Sequence, residues 1–415
     1  MSVQERFLEV AAAYDRCFWL DGGGGLDWSG RRSLIGWLDE DDVSLVLAGG
    51  EVRRRAGGRE TVVGTDIFAA LEAELAGDGP EIHWVGYFGY AARSDLPARD
   101  SDDGVPTAVW MRARRVEVEH HPPAHPRPVP RPDAGSRMPD APYRTAFERV
   151  QEELHAGNSY EVNLTYRVDV ESELDPAAAY LRLRELNPAP YAGYLQHGRG
   201  AERIRLLSSS PERYAAIDRH RVLETKPIKG TTPRALDPAE DERLRAFLVT
   251  DPKMRAENLM IVDLLRNDLA MVCEPGSVEV PGLMQVESYE TVHQLVSTVR
   301  GRLNADVSTI GALRSLFPAG SMTGAPKLRT MEIIGAVESS PRGVYSGAFG
   351  WISGDGRADL GVVIRSLVAT PRRGSGWRYR LGTGGGITVR SDVAEEYAES
   401  RWKADRLLRV FEDAD

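Results

Sequence analysis

The chain has 415 residues, of which 42% are hydrophobic and 27% charged, and it carries a formal net charge of −10. These values are typical of a globular protein long enough for two ordinary domains or one large two-part domain. An acidic balance without long basic runs disfavours nucleic acid as a partner. The two cysteines, Cys17 and Cys273, are too few for a disulfide framework or a cysteine-based zinc site.

The first residues, MSVQERFLEV, show no long apolar run behind a basic region, so we expect no signal peptide. No apolar run elsewhere approaches the ~18–20 residues of a membrane span, so we expect no membrane partner. A cytoplasmic protein is the resulting expectation.

The chain divides at a proline-rich stretch, residues 120–142, which is predicted to be a linker. Before it, residues 1–119 alternate apolar runs with turns and are predicted to be mainly strands. After it, 143–415 mixes strands with helices. The helices are predicted at about 143–157, 176–186, 238–249, 254–270, 305–316, 326–337 and 392–412. Because strands often follow one another directly, the order favours an α+β fold over a doubly wound α/β fold.

The segment ETKPIKGTTPR, residues 224–234, is predicted to be a turn. Pro227 and Pro233 fix φ, and Gly230 permits a positive φ. Lys229 lies inside this turn, although a lysine needed only for solubility would do as well elsewhere on the surface. Its amine is therefore a candidate functional group.

Acidic side chains interrupt two predicted helices. The apolar helix RAENLMIVDLLRNDLA contains Glu257, and a buried charge costs several kcal/mol unless it is paired or bound to a metal. We expect Glu257 to point out of the core into a site. Glu396, Glu399 and Lys403 are three and four residues apart and so share a helix face. The alternative for this face is a solvated surface with one weak Glu–Lys pair.

Two glycine-rich segments, 317–327 and 382–387, are predicted to be loops that a ligand can approach closely. The first precedes a helix with Pro326 in its first turn, an arrangement that suits an anion. Neither has the spacing of a P-loop or a dinucleotide fingerprint, and plain tight turns remain the alternative. A lone histidine such as His293 is more often structural. Arg365, at the end of an apolar strand, is expected to meet a carboxylate.

Taken in order, several segments resemble the chorismate-utilising enzymes, which include anthranilate, isochorismate and salicylate synthases. These segments are SYEVNLT (159–165), SSSPERY (208–214), ETKPIKGTTPR (224–234), RAENLMIVDLLRNDL (255–269), VHQLVSTVRG (292–301), FPAGSMTGAPK (317–327), YSGAFGWIS (345–353), GVVIRS (361–366), GTGGGI (382–387) and EEYAESRWKA (395–404). They cover nearly all of 140–415, which would be the chorismate-binding catalytic domain. Residues 1–119 resemble the variable amino-terminal part of the same proteins. The resemblance implies a large two-part, sandwich-like β-sheet core flanked by helices.

The resemblance also implies a ligand set. Mg²⁺ would be held directly by Glu257 and Glu399, and through water by Glu396, since hard oxygen ligands suit magnesium. Met254 stands where family members often have another acid, so the metal shell is expected to be thinner. Residues expected to touch substrate are Thr231, Thr323, Tyr345, Arg365, Gly384, Gly385, Gly386 and Lys403.

The PIKGT sequence resembles the members of the family that aminate chorismate at carbon 4. By that resemblance, Lys229 would be a nucleophile for ring carbon 2, Glu224 the general acid for the departing 4-hydroxyl, and His293 a hydrogen-bonding group near the ring. A nucleophilic lysine must be unprotonated, and we expect Lys226 and Arg234 to help lower its pKa.

Nothing in the sequence resembles a glutamine amidotransferase, so the resemblance implies a separate glutaminase subunit that supplies ammonia. The product, 4-amino-4-deoxychorismate, would serve 4-aminobenzoate and folate synthesis or an antibiotic pathway. NPAPYAGY (187–194) resembles a tryptophan-binding segment. Two alternatives remain open: an anthranilate or 2-amino-4-deoxyisochorismate synthase, in which Lys229 is not a nucleophile, and a non-catalytic paralogue that binds chorismate or tryptophan.

Overall fold

The computed structural model describes residues 2–22, 31–121, 140–198 and 203–412, so most of the predicted linker lies outside the described residues. In the described residues the helices are α1 Val3–Ala13, α2 Ile67–Leu75, α3 Ala141–His155, α4 Pro176–Leu186, α5 Pro238–Thr250, α6 Pro252–Ala270, α7 Thr309–Leu316, α8 Lys327–Val337 and α9 Val393–Leu408. The strands are β1 Cys17–Asp21, β2 Arg32–Trp37, β3 Ser44–Ala48, β4 Glu51–Ala56, β5 Arg59–Gly64, β6 His83–Phe88, β7 Ala108–Ala113, β8 Arg115–His120, β9 Glu161–Ser172, β10 Tyr191–His197, β11 Ile204–Ser210, β12 Arg213–Ile217, β13 Val222–Lys226, β14 Ile228–Pro233, β15 Glu279–Ser288, β16 Val292–Arg302, β17 Gly324–Ala325, β18 Ala348–Ser353, β19 Ala358–Val362, β20 Ser366–Pro371 and β21 Trp377–Ile387.

The strands form two antiparallel sheets. The nine-stranded sheet has the order β17-β9-β21-β20-β11-β10-β1-β2-β8. The twelve-stranded sheet has the order β14-β16-β13-β12-β19-β18-β6-β7-β3-β4-β5, and β15 pairs with β16 beside this path. Antiparallel sheets flanked by helices confirm the α+β prediction.

The sheets face each other across an apolar layer to which both contribute, with Phe18 and Leu206 on one side and Val85 and Val109 on the other. Because side chains alternate along a strand, Trp19 points away from this layer into a second core, where α1, α4 and α9 cover the nine-stranded sheet. Helices α2, α6 and α7 pack against the twelve-stranded sheet. The molecule is therefore a sandwich of two sheets with helices on both outer faces.

Strands from both sides of the predicted linker build the same two sheets. Strands β1, β2 and β8 belong to the nine-stranded sheet, and β3 to β7 belong to the twelve-stranded sheet. Their neighbours in each sheet come from beyond residue 143, as in the pairs β1–β10 and β6–β18. The amino-terminal part therefore completes the sandwich.

The turn predicted at 224–234 is wrong, because this segment forms two strands that meet at Pro227. Both β13 and β14 pair with β16. The β14–β16 register shifts between Ile228 and Thr231, and Gly230 has a φ of +94°. This irregularity, which resembles a bulge, contains Lys229.

The glycine-rich segment 382–387, predicted as a loop, is the end of β21 and pairs with β9. Glycine suits this strand because its backbone runs very close to β9: a Cβ on Gly384 would lie 2.1 Å from the carbonyl oxygen of Leu164. The segment 317–327 does lead into a helix, with Pro326 as the residue before α8.

Helix α6 carries an acid into the site from its first turns. Asp251 caps it by accepting a hydrogen bond from the Met254 amide, and Pro252 occupies its first turn. Glu257 and the buried Ile261 are four residues apart and so share one face. The buried, apolar face of α6 therefore carries the Glu257 carboxylate near the amino-terminal end of the helix. None of the helices in the described ranges is long and apolar enough to cross a membrane.

Candidate active site

A cavity of about 710 Å³ is lined by parts of β14, α6, β21 and α9 and by the segments around residues 321 and 365. It brings together most of the predicted site residues: Lys229, Thr231, Glu257, Tyr345, Arg365, Gly384, Gly385, Gly386, Glu396, Glu399 and Lys403. Glu224, His293 and Thr323 do not line it. A large pocket with converging polar groups is the natural candidate for a binding site.

Lys229 forms a buried ion pair with Glu161 of β9. The Nζ–Oε1 distance is 2.5 Å, and the two side chains are 12% and 1% exposed. Burial alone would lower the pKa of Lys229, but the carboxylates of Glu161 and Glu257 outweigh it and hold the pKa above its usual value. The amine is therefore charged at rest, and Glu161 is the group placed to accept its proton.

The expectation that Lys226 and Arg234 depress the pKa of Lys229 is not met. Lys226 forms an ion pair with Glu287, and Arg234 forms one with Asp241. Both cations are thus engaged by carboxylates of their own, and neither is among the groups that shift the pKa of Lys229 most.

Gly386 lies against the ion pair of Lys229 and Glu161. A Cβ added to Gly386 would stand 2.1 Å from Glu161 Oε1 and 3.1 Å from Lys229 Nζ. We expect Gly386→Ala to push the pair apart and to lower the free energy of unfolding by about 1–3 kcal/mol, the usual range for overpacking. Urea denaturation measures this loss.

The neighbouring Gly385→Ala is a matched control for Gly386→Ala, because its nearest contact would be Glu396 Oε2 at 3.4 Å. We expect its urea midpoint to stay close to that of the unmodified chain. Equal losses for the two variants would contradict the tight contact at Gly386.

Glu212 is a cavity carboxylate for which the sequence prediction gave no role. It follows β11 in the motif SSSPERY, is 6% exposed, and accepts a 2.6 Å hydrogen bond from the Ser321 hydroxyl. Burial raises its pKa to about 7, against the smaller opposing effects of Ser321 and Lys229. A carboxyl half-protonated near neutral pH suits a general acid.

Glu224, predicted as the general acid, lies outside the cavity. Its carboxylate is held by the Arg213 guanidinium at 2.5 Å. In the hairpin of β12 and β13, Arg213 is opposite Lys226, so the preceding residue, Glu212, lies beside the start of β14. Glu224 lies further along the same hairpin, opposite Ala216. The structure therefore places Glu224 outside the cavity and brings Glu212 into it together with Lys229.

His293 is also removed from the cavity. It is 1% exposed, and its ring nitrogens lie 2.8 Å from the Ser288 hydroxyl and 3.0 Å from Asp241 Oδ1. Burial lowers its pKa, with an opposing contribution from Asp241. These contacts tie β16 to β15 and α5, so His293 is a structural histidine in this chain.

Thr323 is fully buried, and its hydroxyl donates to the carbonyl oxygens of Ala319 and Gly320. It therefore closes the turn before β17, and the expectation that it touches substrate is corrected. Ser321, two residues earlier, lines the cavity instead.

Cationic groups for an anionic ligand line the same cavity. The half-buried Arg365 side chain forms no hydrogen bond or ion pair with the described residues, and burial lowers its pKa to about 10. Its backbone has a φ of +48°, and Ser346 nearby has +66°, both unusual for residues other than glycine. Lys403 donates to the Gly384 carbonyl oxygen at 3.1 Å. Arg365 is thus held ready for a carboxylate.

The three carboxylates predicted to hold Mg²⁺ all line the cavity. Glu396 Oε1 is bonded to Lys253 at 3.0 Å, and Glu399 Oε1 to Lys403 at 2.8 Å. Glu257 forms no hydrogen bond with a described residue, and burial raises its pKa to about 7.

As these side chains stand, no three acidic, histidine or cysteine groups among the described residues form a cluster able to hold an ion. The donor chemistry nevertheless fits a hard divalent cation, because carboxylate oxygens are the ligands magnesium prefers. A partly buried Glu257 without a hydrogen bond is the observation that supports this fit.

The segment NPAPYAGY borders a second, small cavity of about 70 Å³. This is roughly the volume that two water molecules occupy in liquid water. Tyr191 at its edge donates to Asp359 at 2.8 Å and accepts from Arg213 at 2.5 Å. A bound tryptophan would require side chains here to move, and tryptophan binding remains a prediction.

The main cavity of this two-sheet fold brings cations, carboxylates and a buried lysine together in one space. The chain belongs to the family of chorismate binding enzymes, whose family model matches residues 16–409. This confirms the family resemblance.

Among similar proteins, the aminodeoxychorismate synthase of Streptomyces griseus is 40% identical over 461 aligned residues, which cover 96% of this chain and 61% of that protein. Aminodeoxychorismate synthase component 1 of Escherichia coli K12 is 41% identical over 280 residues, covering 68% of this chain and 60% of that protein. The chain thus spans about three fifths of the length of these relatives.

Among solved structures, anthranilate synthase component I of Streptococcus pneumoniae aligns with a TM-score of 0.73 and 25% identity, covering 91% of this chain and 92% of that one. A 2,3-dihydroxybenzoate-specific isochorismate synthase of Bacillus anthracis aligns at 0.71 with 20% identity, covering 98% and 99%. These structures confirm the predicted fold.

Proposed function

We propose that this chain aminates chorismate at carbon 4, giving 4-amino-4-deoxychorismate. The observation that carries the proposal is the amine of Lys229, held in the cavity by Glu161, with Glu212 near enough to influence its pKa. The naming of similar proteins as aminodeoxychorismate synthases supports the same choice.

Chorismate carries two carboxylates, and the cavity offers separate places for them. Arg365, which has no anionic partner bonded to it, would bind one carboxylate together with the Tyr345 hydroxyl. The backbone of Gly384 to Gly386 can approach the same group closely, since no side chain stands in the way. Lys403 would lie near the other carboxylate.

The first step would be attack of the Lys229 nitrogen on ring carbon 2. Glu161 would take the proton of the ammonium, which leaves a neutral amine with a free electron pair. As the carbon–nitrogen bond forms, the ring double bonds shift and the bond from carbon 4 to its hydroxyl breaks. Glu212 would give its proton to that hydroxyl, which leaves as water.

The second step would be attack of ammonia on carbon 4. The double bonds shift back, the bond between carbon 2 and the lysine nitrogen breaks, and Lys229 leaves as a neutral amine. The product carries the new amino group in its protonated form, and Glu212 recovers a proton from solvent. Lys229 then takes back its proton from Glu161. Overall, one ammonia enters and one water leaves, so the atoms balance.

Magnesium would be bound by Glu257 and Glu399 directly and by Glu396 through water. When bound, it would neutralise one substrate carboxylate and fix its orientation. The chain's own lysines, Lys253 and Lys403, now pair with Glu396 and Glu399.

We expect Glu399→Gln to weaken Mg²⁺ binding by roughly tenfold or more, since even loss of a group that only supports a ligand costs 10–100-fold. Calorimetric titration of the metal-free chain with Mg²⁺ measures this without turnover. Glu395→Gln is the matched control on the same helix turn. An unchanged affinity in Glu399→Gln would remove Glu399 from the metal site.

Ammonia would come from a separate glutamine amidotransferase subunit. Support for this partner comes from the name of the Escherichia coli relative, a component 1. The product would supply 4-aminobenzoate for folate or a related antibiotic pathway.

A product assay tests the function. The purified chain is incubated with chorismate, Mg²⁺ and an ammonium salt at mildly alkaline pH, and products are identified by chromatography and mass, with pyruvate measured in parallel. We expect 4-amino-4-deoxychorismate without pyruvate. Anthranilate with pyruvate would instead mean amination at carbon 2, the activity named for the Streptococcus pneumoniae neighbour.

A further inference from the structure

Gln294 is a buried amide in the main cavity whose side chain has no hydrogen-bond partner among the described residues. Its side chain is 1% exposed and lines the cavity, yet neither Oε1 nor Nε2 is bonded to any described residue. Leaving a buried donor or acceptor unsatisfied costs about 1–3 kcal/mol. A side chain kept at this cost is most simply explained by a ligand that supplies the missing bonds.

Each of the other buried amides among the described residues forms at least one side-chain hydrogen bond. Gln196 donates to the Ala11 and Tyr14 carbonyl oxygens at 3.1 and 2.6 Å and accepts from the Tyr194 hydroxyl at 2.8 Å. Asn187 and Asn163 also form hydrogen bonds through their side chains, and Asn258 accepts one from Ser297 although its Nδ2 has no partner. Among these described amides, Gln294 is the one in which neither side-chain atom is bonded.

Strand pairing places Gln294 next to the nucleophile. Gln294 on β16 is directly opposite Thr231 on β14, and Lys229 precedes Thr231 by two residues. The two side chains thus come from adjoining positions of neighbouring strands. Both side chains line the same cavity, so one bound molecule can contact both.

We infer that Gln294 binds the incoming ammonia, with Oε1 accepting a hydrogen bond from an N–H group of the ammonia molecule. Ammonia must keep its electron pair free to attack, and a neutral carbonyl oxygen binds it without favouring protonation. A carboxylate at this position would favour ammonium, which has no free pair. Lys229 and Arg365 are cations in the same cavity, whereas the amide of Gln294 is neutral.

This inference rests on the proposed function, and it predicts a selective effect on one substrate. In Gln294→Met, which keeps the side-chain length, we expect the KM for ammonia to rise by about tenfold at saturating chorismate, as loss of roughly 1.4 kcal/mol would produce. The dissociation constant of chorismate, measured by calorimetry, should stay within about twofold. Ammonium is varied at constant ionic strength with potassium as the replacement ion.

A stability measurement separates this role from a structural one. Since the Gln294 side chain forms no hydrogen bond with the described residues, Gln294→Met should leave Tm unchanged or raise it. Gln196→Met is the matched control: it removes three hydrogen bonds, so its Tm should fall while the KM for ammonia stays the same.

Three results would overturn the inference: an unchanged KM for ammonia, a tenfold weaker chorismate affinity in place of the ammonia effect, or a Tm loss as large as that of Gln196→Met. If the unmodified chain binds chorismate but forms no amino product, the proposed function fails, and the inference falls with it. That failure shows in the unmodified chain, before any variant is compared.

Discussion

Lys229→Ala is expected to lose formation of 4-amino-4-deoxychorismate by on the order of a thousandfold or more, because it removes the atom that attacks chorismate. Chorismate should still bind, since Arg365 and Lys403 are unchanged. Product formation with ammonium and calorimetric binding of chorismate measure the two effects separately.

The same variant should be less stable, because it leaves Glu161 buried without its cation. Breaking a buried pair in this way costs about 3–5 kcal/mol. Adding Glu161→Gln removes the unpaired charge, so the double variant should recover most of the stability but none of the activity. This combination separates loss of a nucleophile from loss of folded protein.

Lys226→Met is the control for Lys229→Ala. It breaks the buried ion pair of Lys226 with Glu287, where the side chains are 9% and 18% exposed, and that pair lies outside the cavity lining. Its stability should fall, but activity per folded molecule should not. Full activity of Lys229→Ala at any ammonium concentration would rule out an obligatory lysine adduct.

Glu212→Gln is expected to lower the amination rate by about 10²–10⁴-fold, the usual contribution of a general acid. Glu212 acts in its protonated form, and burial raises its pKa to about 7. For the unmodified chain, kcat/KM for chorismate should therefore fall as the pH rises through about 7, because Glu212 loses its proton. The residual activity of Glu212→Gln should lack this decline.

Glu224→Gln tests, in the same assay, the prediction that Glu224 is the general acid. Its carboxylate is bonded to Arg213 outside the cavity, so we expect the rate and pH profile to be retained. If Glu224→Gln lost activity and Glu212→Gln kept it, the assignment drawn from the cavity would be wrong.

Local sequence patterns predicted the helices better than the sheets. Helix α4 has the predicted bounds because Asp175 caps it and Pro176 starts it. Proline and glycine in the segments 224–234 and 382–387 predict a turn and a loop. Both are strands, since pairing with β16 and with β9 outweighs local preference.

Local sequence patterns are limited in the same way when they are used to predict the site residues. Glu224 is five residues from Lys229 in the sequence, whereas Glu212 is 17 residues away, so nearness in sequence favours the carboxyl that lies outside the cavity. The hairpin of β12 and β13 reverses the chain and brings Glu212 to the start of β14. SSSPERY was visible as a motif, but its role depends on this hairpin.

Other features of the site depend on contacts between distant strands. Glu161 precedes Lys229 by 68 residues, and the two side chains meet beside Gly386 of β21. The amide of Gln294 is unsatisfied because no described residue beside it offers a hydrogen bond, which no spacing rule describes. Helical spacing did place Glu396, Glu399 and Lys403 on one face, because an α-helix repeats regularly.

The formation of a covalent bond between Lys229 and chorismate is tested most directly by intact-protein mass spectrometry. The chain is mixed with chorismate and Mg²⁺ while ammonia is withheld, then digested to locate any modification. We predict a mass increase equal to chorismate less one water, on Lys229, which disappears when ammonium is added. An unmodified Lys229 in a chain that still forms 4-amino-4-deoxychorismate would contradict the lysine mechanism.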